Sequence, residues 1–312
     1  MSDMTPNRPG QADLTGDEKE LFLKVFAGEV LTAFAETNVA ASRTMVRTIT
    51  SGKSASFPAT WKGTASYHTP GHQLLGTGIA HNERVITIDD VLVADRSIAQ
   101  IDEAMNHFDV RSIYSRDIGM ALARTFDKQV LQVVCLAARA SATVTGGNGG
   151  TRVIGAISDA DDLTAAIFEG AQALDEKDVP ENDRFVFVKP EEYYLLVQDS
   201  NKAISRDFNP SPNGGFAAGT VARIAGMEIV KTNNLPSTNV TTGPDAYKGN
   251  FSTVKALVAQ KGAAGTVKLI DLSVETAWLI EYQTNLLVGK YAVGHGILRP
   301  ECAVEITTAA TS

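Results

Sequence analysis

The chain has 312 residues, of which 44% are hydrophobic and 21% are charged, with 26 glycines and 11 prolines. This composition is typical of a soluble globular protein with one large domain or two ordinary ones, and it excludes disorder for most of the chain. The formal net charge of −8 excludes the general basic surface with which a dedicated nucleic-acid-binding protein neutralises phosphates.

The cysteines and the terminal composition bear on the cellular compartment. Cys135 and Cys302 form no CxxC pair, so the sequence indicates neither a disulfide framework nor a zinc knuckle and fits a reducing cytoplasm. The N-terminus is polar where a signal peptide has an apolar run, and no window reaches the roughly 18 to 20 apolar residues of a membrane helix. We therefore expect no export signal and no membrane association.

The first predicted element is an N-terminal helix. Thr15 and Glu18 have the spacing of a capping box, in which each side chain satisfies a backbone N–H of the first turn. Apolar residues then recur at three- and four-residue intervals as far as about Glu36, which predicts one apolar helix face that must pack against something.

Residues 51–88 are predicted to form a long antiparallel β excursion. Apolar and polar residues alternate from Ala55 to Tyr67, Pro70-Gly71 is typical of a turn, and a β-branched run returns at residues 84–88. An arm of some 15 residues would reach about 50 Å. A two-stranded ribbon has no core of its own, so we expect it to lie on another subunit, where Phe57, Trp61 and Tyr67 are covered.

The next predicted element is a long spine helix. A short helix ends at Met105, and Asp109 or Ser112 can then cap a helix that keeps apolar spacing to about Ala140. Roughly 28 residues make this helix about 42 Å long. The glycine-rich segment 145–150 resembles a hinge or domain boundary.

The remainder is predicted to be an α+β region. Its expected elements are a helix from Ser158 with apolar positions Leu163, Ala166, Ile167, Gly170 and Leu174, a strand Arg184–Val188, a helix opened by Pro190, a strand 221–230, exposed loops at 209–219 and 232–250, and strands through most of 266–306.

No motif predicts nucleotide or metal binding. Gly52-Lys53-Ser54 resembles the end of a phosphate-binding loop, but Arg47 stands where that loop needs its first glycine. His68, His72 and His81 could be imagined as metal ligands, but Pro70-Gly71 prevents a helical arrangement and no Cys or Glu set accompanies them. Surface histidines and an edge lysine are the favoured interpretations.

No motif predicts catalysis either. Asp159, Asp161 and Asp162 are expected to complement a helix dipole, and Cys135 is expected to be a small buried apolar residue. Gly294-His295-Gly296 is interpreted as a structural bend between two strands, because no nucleophile lies nearby in the sequence. We therefore predict no enzyme activity, no cofactor and no catalytic, cofactor-binding or metal-binding residue.

Several stretches resemble the major capsid protein of short-tailed phages of the T-seven-like type. The resemblance covers roughly the first 125 and the last 45 residues well, whereas the middle from about 141 to 262 is more divergent. The stretches that carry it are residues 21–35, 51–58, 104–112 and 290–301.

The resemblance implies the α+β tailed-phage capsid fold, also called the Hong Kong ninety-seven fold. The implied regions are an N-terminal arm (1–50), an extended loop (51–88), a peripheral domain with the spine helix (89–145), an axial domain (146–265) and terminal strands (266–312). The terminal strands are expected to return through the peripheral domain and towards the axial domain.

The resemblance further implies a structural role in an icosahedral shell of hexamers and pentamers. The expected partners are other copies of the chain, a separate scaffolding protein, a portal protein and non-specifically packaged double-stranded DNA, with assembly in the host cytoplasm. Some relatives carry covalent cross-links, but the sequence singles out no set of Lys, Asn and catalytic carboxylate, so we expect none here. The alternative is an encapsulin-like compartment shell on the same fold. The candidate inter-subunit contacts are Arg43, Arg47, Lys53, Phe57, Trp61 and Tyr67.

Overall fold

A computed structural model describes residues 38–63, 78–105, 110–198 and 223–309, together with residues 65, 67–68, 70–71, 73, 76, 214–215 and 220–221. The helix predicted over residues 15–36 lies outside these ranges, as do His72 and most of the loop predicted at 209–219.

The described helices are α1 (Gln100–Met105), α2 (Val110–Arg139), α3 (Ala160–Glu176) and α4 (Pro190–Gln198). None of them is both long enough and apolar enough to cross a bilayer. The strands are β1 (Met45–Thr48), β2 (Ser54–Thr60), β3 (His81–Thr87), β4 (Leu92–Ala99), β5 (Thr151–Ile154), β6 (Arg184–Val188), β7 (Gly214–Gly215), β8 (Thr220–Val221), β9 (Arg223–Ile224), β10 (Met227–Lys231), β11 (Asn239–Val240), β12 (Gly249–Asn250), β13 (Val254–Gln260), β14 (Ala264–Leu279), β15 (Thr284–Ile297) and β16 (Ala303–Thr307).

One compact unit contains residues 89–126 and 269–293. In it β4 pairs antiparallel with β15, and the first part of α2 packs on β15. Gly289 makes this close approach possible, because a Cβ at that position would lie 2.3 Å from Cγ2 of Ile118. Tyr291 completes the contact by donating its hydroxyl to the carbonyl of Leu122 at 3.4 Å.

The second unit contains residues 39–88, 127–268 and 294–309 of the described chain. Its main sheet has the strand order β5-β16-β13-β6-β10-β9, with both parallel and antiparallel pairs. Helix α3 packs on this sheet through a continuous buried face. The apolar positions predicted for that face are confirmed, as are the bounds of β6, the start of α4 at Pro190 and the approximate length of α2.

Two glycine clusters lie where chain segments pack closely, and the first of them corrects a sequence prediction. Gly294-His295-Gly296 is part of β15 and not a bend, because a Cβ at Gly294 would lie 2.0 Å from the carbonyl oxygen of Thr87. The segment 145–150 lies within the second unit, and a Cβ at Gly150 would lie 2.3 Å from the carbonyl oxygen of Ala137. Both glycine clusters permit close packing of one chain segment on another.

Two further predictions in the middle of the chain are wrong. The strand expected over 221–230 is a hairpin of β9 and β10, because Ala225 and Gly226 have φ angles of 49° and 74° and close a tight turn. The loop expected to be exposed at 232–250 contributes buried side chains, including Leu235 and Tyr247, to the core of the second unit. A turn with a residue other than glycine at positive φ leaves a weak sequence signal.

Candidate inter-subunit surface at the extended loop

The base of the extended loop is a short antiparallel ribbon that packs on its own unit. Strands β2 and β3 pair from Ser54 opposite Thr87 to Thr60 opposite His81. The inward side chains of Ala55 and Ile86 are buried against Val267 and Leu298. The strand pattern predicted as far as Tyr67 is therefore confirmed only to Thr60, and the base does not depend on another subunit for burial.

Phe57 and Arg47 lie together at the edge of this base. Phe57 is partly buried against the apolar cluster of Ala55, Ile86 and Leu298. Arg47 donates from Nη1 to the carbonyl of Ser56 at 3.1 Å, and its guanidinium carbon lies 5.6 Å from the centre of the Phe57 ring. Arg47 thus covers the aromatic ring with a cation and ties β1 to the loop.

Trp61 and Lys62 attach the outer end of the ribbon to the same unit. A Cβ at Gly147 would lie 3.3 Å from Cε3 of Trp61, so the indole packs directly on that glycine. The Lys62 ammonium forms an ion pair with Asp178 and lies 5.9 Å from the Trp61 ring centre. Part of the aromatic surface expected to face a neighbour is thereby used within the chain.

Lys53 and Tyr67 have solvent-exposed side chains. The carbonyl of Lys53 accepts from the backbone N–H of Ile88 at 2.8 Å, which closes the ribbon at its root, while its side chain is exposed. Tyr67 is fully exposed. A fully exposed tyrosine ring is a feature that protein contacts commonly cover.

Arg43 lies at the root of the N-terminal arm. Its guanidinium donates to Glu228 Oε1 at 2.6 Å and to the carbonyl of Val39 at 2.9 Å, and it lies 5.2 Å from the Phe185 ring centre. Arg43 thus has an acidic partner, Glu228, in its own chain.

Asp127 holds the chain at residues 39–40, a contact that the sequence reasoning missed. It is buried in α2, and its two carboxylate oxygens accept from the backbone N–H groups of Val39 and Ala40 at 2.9 and 3.1 Å. Because a buried carboxylate needs such donors, this contact fixes the backbone of Val39 and Ala40 against α2. The available signal was an aspartate in the apolar spacing of the spine helix.

The two cysteines of the described chain are buried. Burial raises the pKa of the Cys135 thiol, and it raises that of Cys302 to about 12, so both thiols stay protonated. Asp159 caps α3 by accepting from the N–H of Asp162, as the dipole interpretation predicts. In the described part of the chain, no three His, Cys, Asp or Glu residues cluster as metal ligands would.

The whole chain resembles solved structures of phage capsids. A chain of the capsid of cyanophage P-SCSP1u superposes with a TM-score of 0.83 and 43% identity, covering 100% of both chains. The mature capsid of bacteriophage PhiM1 gives a TM-score of 0.77 at 21% identity, covering 99% of this chain and 100% of that chain, which supports the fold alone. These similarities define the class as the α+β fold of tailed-phage capsid proteins.

The sequence comparisons narrow the class to one family. The model described as "Gp10A-like: Major capsid protein" matches residues 56–307. The major capsid protein of Escherichia phage T7 is 36% identical over 92% of each chain, and that of Enterobacteria phage T3 is 35% identical over 94% of this chain and 93% of its own length. The chain belongs to this major capsid protein family, so the resemblance is confirmed and the encapsulin alternative is not favoured.

Proposed function

We propose that this major capsid protein assembles as hexamers and pentamers that close an icosahedral shell around double-stranded DNA. The observation that carries the proposal is the similarity to the cyanophage capsid chain over the full length of both proteins. Exposed apolar side chains near the loop, including Met45, Tyr67 and Val85, add support, because a neighbouring copy would remove them from water.

The extended loop is proposed to make the inter-subunit contacts. Lys53 and Tyr67 are the best placed of the six candidates, since their side chains are exposed. Arg43, Arg47, Phe57 and Trp61 have partners within the chain, so their proposed role is to hold the loop and the arm root in a shape that a neighbour recognises.

The proposed domains follow the capsid fold. They are an arm at 1–50, an extended loop at 51–88, a peripheral domain at 89–145, an axial domain at 146–265 and terminal strands at 266–312. The change of compact unit between Ile88 and Asp89 supports the proposed end of the loop, whereas the division at 145/146 falls within one compact unit.

The proposed partners are a separate scaffolding protein, a portal protein and DNA, with assembly in the bacterial cytoplasm, no membrane contact and no catalysis or cofactor. A net charge of −8 per copy favours a shell lining that does not grip phosphates and lets DNA slide into place.

Electron microscopy of the purified chain, with and without a co-expressed scaffolding protein, tests the proposal. We expect closed icosahedral particles of uniform size with the scaffold and irregular assemblies without it. Soluble monomers under both conditions would contradict the shell proposal. Native particles that lack DNA and a portal would instead favour the encapsulin-like compartment shell.

A further inference from the structure

The glycine-rich segment 145–150 contains an asparagine that is followed by glycine, Asn148-Gly149. These two residues lie in irregular structure directly before β5, and both are partly exposed, so water reaches them. Because glycine has no side chain, the backbone nitrogen of Gly149 is not shielded from the Asn148 carboxamide. The dipeptide therefore places an electrophilic amide carbon next to an accessible nitrogen.

The groups that would react with each other have no competing hydrogen bonds. Among the residues that the structure describes, the N–H of Gly149 donates to no acceptor, and the Asn148 carboxamide has no hydrogen-bond partner. By contrast, the N–H groups of Gly147 and Gly150 each donate to a backbone carbonyl at 2.9 Å. The chain is thus held on both sides of a peptide nitrogen that is itself free to react.

A lysine beside the dipeptide would stabilise a new negative charge. Lys177 donates from Nζ to the carbonyl of Gly149 at 2.7 Å and also to the Thr151 hydroxyl. Both acceptors are uncharged, and within the described part of the chain Lys177 forms no ion pair. A carboxylate created at residue 148 would lie one residue from the carbonyl that this cation holds, so Coulomb attraction favours it.

We propose that Asn148 is a site of spontaneous deamidation in the folded chain. The Gly149 nitrogen loses its proton to water and forms a bond with Cγ of Asn148, while the side-chain nitrogen takes a proton from water and leaves as ammonia. Water then opens the cyclic imide. Cleavage at Cγ gives aspartate, whereas cleavage at the backbone carbonyl gives isoaspartate, whose main chain runs through Cβ and Cγ. Each product carries one more negative charge than asparagine.

The packing around the dipeptide connects this reaction to the extended loop. A Cβ at Gly147 would lie 3.3 Å from Cε3 of Trp61, and a Cβ at Gly150 would lie 2.3 Å from the carbonyl oxygen of Ala137. Isoaspartate adds a methylene to the main chain between these two close contacts, and a densely packed interior does not absorb such a change without movement. We therefore expect conversion of Asn148 to loosen the contact of Trp61 with this segment.

Incubation of the full-length chain in water enriched in oxygen-18 tests the proposal, because opening of the imide incorporates one heavy oxygen. Trypsin digestion then follows in ordinary water. Peptide 140–152 contains Asn148 as its one asparagine, and peptide 178–184 contains Asn182 followed by Asp183. Asn182 is the matched control, since it is exposed but the next residue has a side chain. We expect peptide 140–152 to gain heavy oxygen about tenfold faster, because glycine leaves the attacking nitrogen unshielded.

The chain unfolded in guanidinium shows whether the fold permits the reaction. Heavy oxygen at Asn148 in the unfolded chain, but in the folded chain no faster than at Asn182, would overturn the proposal, because the fold would then block the attack. Asn148→Gln should abolish the label in peptide 140–152, since the longer side chain closes a larger ring much more slowly. Label that persists in this variant would overturn the assignment to residue 148.

Tryptophan fluorescence tests the effect on the loop. Trp278 is the other tryptophan of the chain, so Trp278→Phe leaves Trp61 as the one emitter. Conversion of half of the Asn148 side chains in this variant should shift the emission to longer wavelength, because the indole then gains contact with water. Trp278→Phe with Asn148→Gln, incubated for the same time, should keep its spectrum.

The outcomes are independent of the proposed function. No shift, or an equal shift in both tryptophan variants, would overturn the effect on the loop. All of these measurements use the unassembled chain, so a failure to form particles would contradict the shell proposal and leave the deamidation result unaffected.

Discussion

At the scale of single residues, Glu305 is a fully buried charge of the second unit. It is fully buried in β16, where both oxygens accept from Arg139 at 2.6 and 2.8 Å, and Arg152 approaches it at 3.2 Å. Hydrogen bonding to Glu305 raises the pKa of the Arg139 guanidinium. The cluster joins the end of α2 to β16 and to β5.

Glu305→Ala should lower the free energy of unfolding of the unassembled chain by about 3–5 kcal/mol, because it leaves a buried arginine without its counter-charge. Glu228→Ala is the matched control, since it removes the partially exposed acid that pairs with Arg43, and it should cost less than about 1 kcal/mol. Denaturant unfolding measures both changes. Equal costs would show that burial of Glu305 does not determine its contribution.

His295 gives the folded chain a dependence on acid. Its Nδ1 lies 2.9 Å from the Thr266 hydroxyl, and its backbone N–H donates to the Tyr247 hydroxyl at 3.2 Å. Burial lowers the pKa of the imidazole to about 3. As the pH falls, the imidazole is protonated near pH 6.5 in the unfolded chain but only near pH 3 in the folded chain. Between these two values the unfolded chain binds one more proton, so this histidine lowers the free energy of unfolding as the pH falls.

His295→Gln should flatten the fall in stability between pH 6.5 and pH 4 by up to about 1.4 kcal/mol per pH unit, the value for one proton. His81→Gln is the control, because that histidine is exposed and its substitution should leave the slope unchanged. Denaturant midpoints measured at each pH give the slopes. An unchanged slope for His295→Gln would contradict the burial of a neutral imidazole.

At the scale of elements, glycines in β15 determine how closely the loop base can approach. Gly294 faces the backbone of Thr87, and a Cβ at Gly296 would lie 2.7 Å from Cγ1 of Ile86. The end of β3 therefore lies directly against β15, and this contact buries Ile86 beside Val267 and Leu298.

Gly294→Ala should destabilise the chain by about 1–3 kcal/mol or more, because the new methyl group meets backbone that cannot move aside as a side chain would. Gly155→Ala is the control, since a Cβ there meets nothing within 4 Å, and it should change stability by less than about 0.5 kcal/mol. Thermal and denaturant unfolding compare the two variants. Similar costs would mean that β3 and β15 can separate without penalty.

Phe57→Asp is the corresponding test of the loop element. Because Phe57 is only partly buried, we expect a folded monomer that has lost up to about 2 kcal/mol and no longer forms particles. Ser56→Asp adds the same charge at the neighbouring position, where the side chain is exposed on the other face of β2, and it serves as the control. Unfolding of Phe57→Asp, detected by circular dichroism, would contradict an assembly role.

At the scale of the whole molecule, several lysines of the described chain form ion pairs within it. Lys62 pairs with Asp178, Lys255 with Glu192 and Lys290 with Glu275. The sequence offers no set of lysine, asparagine and catalytic carboxylate that would form a cross-link. Subunit contacts in the shell are therefore expected to be non-covalent.

Mature particles boiled in detergent should run as one band near 33 kDa, the mass of a single chain being 33.2 kDa. The matched measurement is the same gel with and without reductant, which removes any contribution from Cys135 and Cys302. A ladder of multimers that resists reductant would contradict the prediction.

The sequence by itself determined the elements whose signal is local. Four predicted elements form where their local patterns indicate. The patterns are the apolar period of α3, the alternation in β6, the proline that opens α4 and the long apolar spacing of α2. The stretches resembling a known capsid family gave the fold class and the function in the same way, because a family resemblance is itself a property of the sequence.

Only the tertiary structure decided what the segments contact. Three contacts join residues more than 80 positions apart in the sequence. They are the hydrogen bonds from the backbone N–H groups of Val39 and Ala40 to Asp127, the ion pair of Arg139 with Glu305, and the close packing of Gly294 on Thr87. The sequence of Gly294-His295-Gly296 fits a bend and a tightly packed strand equally well, since glycine serves both needs. Burial against a distant segment determines which one forms, and no local pattern encodes that segment.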